Sequence, residues 1–213
     1  MNKKMKRNVC AATTLLAAFA VWTVLLRLVD VKPIGPEGAT VGFATLNRCI
    51  HGLTGVHMPL YTVTDWLGLV PIGIAFGFAV LGLVQWIKRK SLLLVDHSIL
   101  ALGVFYVVVI AVYLFFEAVV VNYRPILIDG CLEVSYPSST TLLVACVMPT
   151  AMLQLKERIK NVWVRRVVLL AVGAFIVFMV VGRLISGVHW VTDIIGGGLL
   201  SAGLVAMYHA IVT

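Results

Sequence analysis

Charge is scarce in this chain of 213 residues: Asp, Glu, Lys and Arg together make up 12%, against 61% hydrophobic residues. A soluble domain of this size does not need so much apolar surface, so a single water-soluble globule is excluded. There is no internal repeat, no low-complexity tract and no linker long enough to separate domains. Metal-ligating clusters, nucleotide-binding glycine loops and haem signatures are also missing, so neither metal nor cofactor is expected. Only four cysteines occur. Cys10 and Cys146 fall in apolar runs as small packing residues. Cys49 and Cys131 fall between runs on one side, where oxidation is permitted, so they are either bridged to each other or free.

What is present is long apolar sequence. A bilayer core about 30 Å thick takes about 20 apolar residues per helix. Six stretches qualify, near 9–29, 62–87, 98–121, 138–155, 167–184 and 190–212. The fold class is therefore all-α, one polytopic domain over 1–213 with six transmembrane helices. Lys3 to Arg7 followed by apolar residues also resembles a signal peptide, with Ala18-Phe19-Ala20 as a cleavage site. The run continues to Val29, longer than a signal core, which favours an uncleaved first helix.

Basic residues set the orientation. With the N-terminus inside, Lys3, Lys4, Lys6 and Arg7, then Lys88, Arg89 and Lys90, then Lys156, Arg158, Lys160, Arg165 and Arg166 all face the cytoplasm, most of the 17 in the chain. The C-terminus is then cytoplasmic too. The net charge of +8 reflects this arrangement and calls for no nucleic-acid partner. The expected place is the cell membrane, as a multi-pass protein. The oligomeric state is left open.

On this topology the polar residues collect at one membrane face. Arg124-Pro125 follows the third helix, and Tyr136-Pro137-Ser138-Ser139-Thr140-Thr141 opens the fourth. Arg183 ends the fifth helix, and His189 to Asp193 begin the sixth. Intramembrane polar side chains cost roughly 2.5–3.5 kcal/mol each at the bilayer centre, so their convergence has a use. Pro137 suits a first helical position. The amides after it, with the hydroxyls of Ser138, Ser139 and Thr140, make a helix-start anion site. Arg124 and Arg183 can fork onto phosphate oxygens. His189 and Asp193, four apart, would share a helix face. The carboxylate would then hold one ring nitrogen and leave the other as nucleophile. Taken one at a time, these residues also read as interfacial anchors, an aromatic-belt histidine and helix caps.

These residues resemble the membrane branch of the type 2 phosphatidate phosphatase superfamily, the lipid phosphate phosphatases, over roughly 60–210. Three pieces carry the likeness. Arg124-Pro125 matches the end of the family's lysine, six residues, Arg-Pro. Pro137-Ser138 matches the start of Pro-Ser-Gly-His. Gly182-Arg183, five residues, His189, three residues, Asp193 matches the third piece, with glycine for serine. The resemblance implies a phosphohistidine mechanism on a lipid phosphate at the extracytoplasmic face. His189 is then the nucleophile and Asp193 its orienting partner, while Arg124, Arg183, Ser138, Ser139 and Thr140 hold phosphate. Two positions depart from the pattern. Glu117 stands for the family's lysine, and Thr140 for the histidine that protonates the leaving group.

Three consequences stay open. The chain is an impaired homologue that binds or transports lipid phosphates, or Glu117 replaces the missing acid, or the substrate is a lipid diphosphate such as a polyprenyl diphosphate, whose leaving group needs less acid help. His51 and His57 in the first outside segment are alternative acids or ordinary loop residues. Around them, Val41 to Ile50 reads as an interfacial helix or a connecting loop. Asp65-Trp66 either supports the site or anchors the interface. Gly197 and Ser201 permit close packing, and loop 156–166 is an orientation signal. A membrane protein with no phosphate site is the remaining reading.

Overall fold

The structure, a computed structural model, describes residues 3–212. It is built of eight α-helices: α1 (Lys3–Leu28), α2 (Ala44–Thr54), α3 (Met58–Leu67), α4 (Leu69–Arg89), α5 (His97–Ala118), α6 (Ser139–Arg158), α7 (Val162–Ile185) and α8 (Val191–Val212). Six spans are long and apolar enough to cross a membrane, with α3 and α4 together forming one of them, Met58–Arg89. The break in that span lies at Gly68. Pro71 explains it: its ring clashes with the carbonyl of Leu67 and it has no N–H to bond there.

The helices α6 and α8 are the most buried of the six spans and form the centre. Their approach is close at Gly197, where a Cβ would stand 3.2 Å from the Thr141 methyl. The Ser201 hydroxyl returns to Gly197 O at 2.7 Å, so it is satisfied within the membrane. On the other side of α8, a Cβ at Gly203 would lie 2.8 Å from Leu16 of α1. Phe19 of α1 stacks on Tyr136 at 6.1 Å and meets Phe116 edge-on at 5.7 Å. Thus α1 belongs to the core, and removal after Ala20 would extract Phe19 from it.

Two connections shape the end of the bundle where α6 and α8 begin. The first is the segment between α1 and α3. A two-residue antiparallel pair, Lys32–Pro33 with Thr40–Val41, leads into α2. The helix α2 is docked, since buried Asn47 bonds to Gly42 O, Thr192 Oγ1 and the Thr192 amide. The second is the α5–α6 link, folded back on itself by bridges Tyr123–Val134 and Ile128–Cys131. Cys49 and Cys131 are both exposed and unbridged, so of the two readings the structure has them free. Cys49 lies on α2, whereas Cys131 closes the tip of this link.

Candidate active site

The α5–α6 link positions its polar residues through backbone bonds. Ser135 N donates to Asn122 O at 3.0 Å, and Arg124 N donates to Glu133 O at 3.0 Å. The α7–α8 connection turns sharply at Gly187, with φ +69°, and a Cβ there would collide with the Gly55 carbonyl. At the start of α8, Asp193 Oδ2 accepts from the Trp190 amide at 3.0 Å. This is a capping interaction in which the third helical residue satisfies an otherwise orphaned N–H. Trp190 Nε1 donates to Tyr123 O at 2.8 Å and ties the two connections together.

His189 therefore lies before α8, not on it, and the expected direct pairing with Asp193 is replaced by a relay. His189 Nδ1 is 2.9 Å from Ser135 Oγ, and Ser135 Oγ donates to Asp193 Oδ2 at 2.5 Å. Asn122 Nδ2 fills the other carboxylate oxygen at 3.0 Å. Ser135 has one proton and gives it to Asp193, so its oxygen accepts from Nδ1–H. That fixes the tautomer and leaves the lone pair on Nε2. Ser135 is not among the candidates legible in the sequence. It belongs to no helix, and its role depends on the pairing of its link with Asn122.

His189 Nε2 is buried without a partner, as are Arg124 Nη1, Arg183 Nε and Thr141 Oγ1. Each such atom costs roughly 1–3 kcal/mol while it stays unbonded. Burial first, then the positive charges of Arg124 and Arg183, push the His189 imidazole well below its ordinary value near 6.5. The two guanidinium groups flank one ring, with Arg183 4.7 Å and Arg124 5.8 Å from the Tyr61 centroid. Arg183 Nη1 donates to Thr64 Oγ1 at 3.4 Å, and Nη2 lies 3.6 Å from Asp65 Oδ1. Arg124 Nε is 3.0 Å from Glu133 Oε2, close enough for an ion pair but off the hydrogen-bond line.

The other sequence candidates fall into three places. Glu117 and Ser139 line a cavity of about 10 Å³ beside His189, on the order of one water. Thr140 instead lines a larger cleft that begins at Asp65. Ser138 is turned inward: it is the N-cap of α6, its Oγ accepting from Thr141 N at 3.4 Å, and its own amide donates to Asp193 O at 3.2 Å. Helix α6 thus starts at Ser139 and not at Pro137, because serine caps better than proline. Its first free amides are those of Ser139 and Thr140.

The two remaining histidine candidates, His51 on α2 and His57 just before α3, are engaged with backbone carbonyls. His51 Nε2 lies 3.1 Å from Gly187 O, and His57 Nε2 lies 2.8 Å from Thr54 O. Asp65 contacts Arg183, whereas Trp66 is exposed. No metal-binding group of three or more His, Cys, Asp or Glu occurs among the described residues.

A family model described as the PAP2 superfamily matches residues 96–213. No curated protein matches the chain. Among solved structures, it is similar to the first transmembrane PAP2 type phosphatidylglycerolphosphate phosphatase from Bacillus subtilis, at 20% identity over 94% of each chain and a TM-score of 0.53. The two share a fold.

Proposed function

The chain belongs to the PAP2 superfamily, and from that membership we propose that it is an integral membrane phosphatase of lipid phosphates or diphosphates, acting through a phosphohistidine. One observation carries the reading. The unpartnered Nε2 of His189 lies in the field of two buried arginines, each of which keeps an unfilled N–H. A phosphoryl group supplies what all three lack, oxygens for the arginines and an electrophile for the nitrogen.

The chemistry follows from the tautomer. His189 Nε2 attacks phosphorus, a P–N bond forms and the bond from phosphorus to the leaving oxygen breaks. The ring becomes cationic, and the Ser135–Asp193 relay stabilises it through Nδ1–H. Arg124 and Arg183 bear the charge on the non-bridging oxygens, the role of preorganised donors in phosphoryl transfer. Glu117, which lines the small cavity together with His189, gives a proton to the leaving oxygen. It takes one back from the water that then cleaves the P–N bond.

Sidedness rests on charge. Lys88, Arg89, Lys90, Lys156 and Arg158 sit at or beside the ends of α4 and α6 away from His189, and such basic ends stay in the cytoplasm. The reacting end is then extracytoplasmic, in a cell-membrane protein whose lipid partner comes from the bilayer.

Phosphate release by detergent-purified protein from lipid mono- and diphosphates, beside His189→Ala, tests this. Release lost in the variant supports it. Equal background release from both, in folded samples, defeats it. Thr140, which cannot titrate where the family has its acid, favours a second reading, a binder or transporter of lipid phosphates. Saturable vanadate protection against unfolding without any phosphate release would select that one.

A further inference from the structure

Between α4 and α5 runs a cleft that the phosphoryl-transfer chemistry leaves unused. Its upper chamber, about 510 Å³, begins at Asp65, Ser139 and Thr140 and continues between Ile72 and Val109. Its lower chamber, about 300 Å³, runs on between Phe78, Trp86 and Leu102. Ala75 and Tyr106 line both chambers. Ala75 contributes only a methyl group, so of the two shared residues Tyr106 is the one large enough to act as a partition.

That ring is held. Tyr106 OH lies 3.2 Å from Thr150 Oγ1. Thr150 gives its own proton to the carbonyls of Cys146 and Val147, both at 2.9 Å, so the phenol is the donor. An unpartnered hydroxyl among apolar side chains is unfavourable, and Thr150 therefore fixes where the ring stands.

The dimensions say what the partition meets. At 1.5 Å per residue, α4 descends about 9 Å from Leu69 to Ala75 and about 26 Å from Leu69 to Trp86. One leaflet of a hydrocarbon core about 30 Å thick is about 15 Å. A lipid tail whose phosphate lies at the arginines thus outruns the upper chamber and reaches Tyr106. Bilayer and cleft are equally apolar, so burial alone selects little. Selection arises from what the partition refuses.

We infer that Tyr106, held in place by Thr150, is a specificity-determining residue that limits the tail length of the lipid phosphate, the cleft being the seat of that tail. This rests on the phosphatase reading above. The test uses the purified full chain and two alkyl phosphates of the same head group, one short-tailed and one long-tailed. In Tyr106→Ala the ratio of kcat/KM, long over short, rises on the order of tenfold, the scale on which apolar pockets discriminate. Thr150→Val moves the ratio the same way by less, and Tyr106→Trp lowers it. Because the ratio is taken within one preparation, loss of folded protein cancels. An unchanged ratio in Tyr106→Ala overturns the inference.

If the unmodified chain releases no phosphate from either lipid, the phosphatase reading has failed and the partition is tested separately. An alkyl phosphate with a photoreactive tail end then labels the Ala79–Trp86 segment in Tyr106→Ala but not in the unmodified chain. Equal labelling in both overturns the inference.

Discussion

His189 and Asp193 stand four residues apart in sequence yet do not bond each other. The Ser135 hydroxyl lies between them, 2.9 Å from His189 Nδ1 and 2.5 Å from Asp193 Oδ2. The carboxylate also closes the cap of α8 and accepts from Asn122. One aspartate therefore holds the helix start, the link from α5 to α6 and, through serine, the imidazole.

The relay makes Ser135 a positioning residue. Ser135→Ala leaves Nδ1–H unpaired and removes one of the two donors to Asp193 Oδ2, and kcat is expected to fall about 10–100-fold, the usual effect of losing an orienting partner. KM should change little, because Ser135 is bonded to His189 and Asp193 and acts through the ring. Ser135→Thr keeps the hydroxyl and should recover most of the rate. Equal losses in both variants would mean that packing, not the relay, is at stake.

Burial and the two arginine charges hold His189 well below 6.5, and this has two consequences for pH. The proposed nucleophile stays neutral in the resting protein, so the acid limb of kcat/KM assigned to His189 is expected to fall well under 6.5. Stability moves the opposite way to that of a histidine paired with an acid. Above 6.5 both folded and unfolded chains hold the ring neutral. As pH drops through 6.5 only the unfolded chain gains the proton, so stability is lost on that side. His189→Gln removes this contribution to the slope. Unfolding midpoints measured from pH 5 to 8 for the two proteins decide it, and parallel curves would refute the shift.

Much of this architecture is legible in the order of residues. Six apolar runs become six spans, and Arg124, Arg183 and His189 arrive at one end because each lies at the edge of a run. The misses have physical causes. The break at Gly68 disappears into the average hydropathy of its span, although Pro71 already disfavours a continuous helix there. The i, i+4 argument for His189 and Asp193 assumes a helix that begins only at Val191. Ser135 and Asn122 carry no periodic signal, since they meet only when the α5–α6 link pairs with itself. Placing Cys49 and Cys131 on the same side says nothing about their distance.

The two arginines should not tolerate lysine. Arg183 spends one nitrogen on Thr64 and another near Asp65 and keeps Nε free, a division that a single ammonium cannot reproduce. Arg183→Lys is expected to lower kcat/KM about 10²–10³-fold, the scale of losing a preorganised donor. It should also abolish protection against unfolding by vanadate. Retained protection would place the anion elsewhere.

Gly187 tests the scaffold rather than the chemistry. Its φ of +69° and the nearby Gly55 carbonyl leave no place for a side chain, and the strain alone costs about 1–3 kcal/mol. Gly187→Ala is expected to lower the unfolding midpoint and to reduce activity by displacing His189. Gly198, where a Cβ would meet nothing within 4 Å, is the matched control, and Gly198→Ala should be silent in both measurements.

Glu117 decides between a working enzyme and a binder. It lines the same small cavity as His189, the space where a leaving oxygen or an attacking water would sit. General acid–base catalysis contributes about 10²–10⁴-fold. That contribution is largest when the leaving group is a poor one, an alkoxide, and smallest when it is a phosphate. Glu117→Gln should therefore depress hydrolysis of a lipid monophosphate far more than that of the matching diphosphate, while leaving vanadate affinity intact. Thr140→His, which restores the residue that the family pattern has there, should raise the monophosphate rate in the Glu117→Gln background. Equal depression on both substrates would show that Glu117 serves the site by its charge and not by its proton. No depression on either would leave the acid role vacant, and the binding reading would gain the weight that the phosphatase lost.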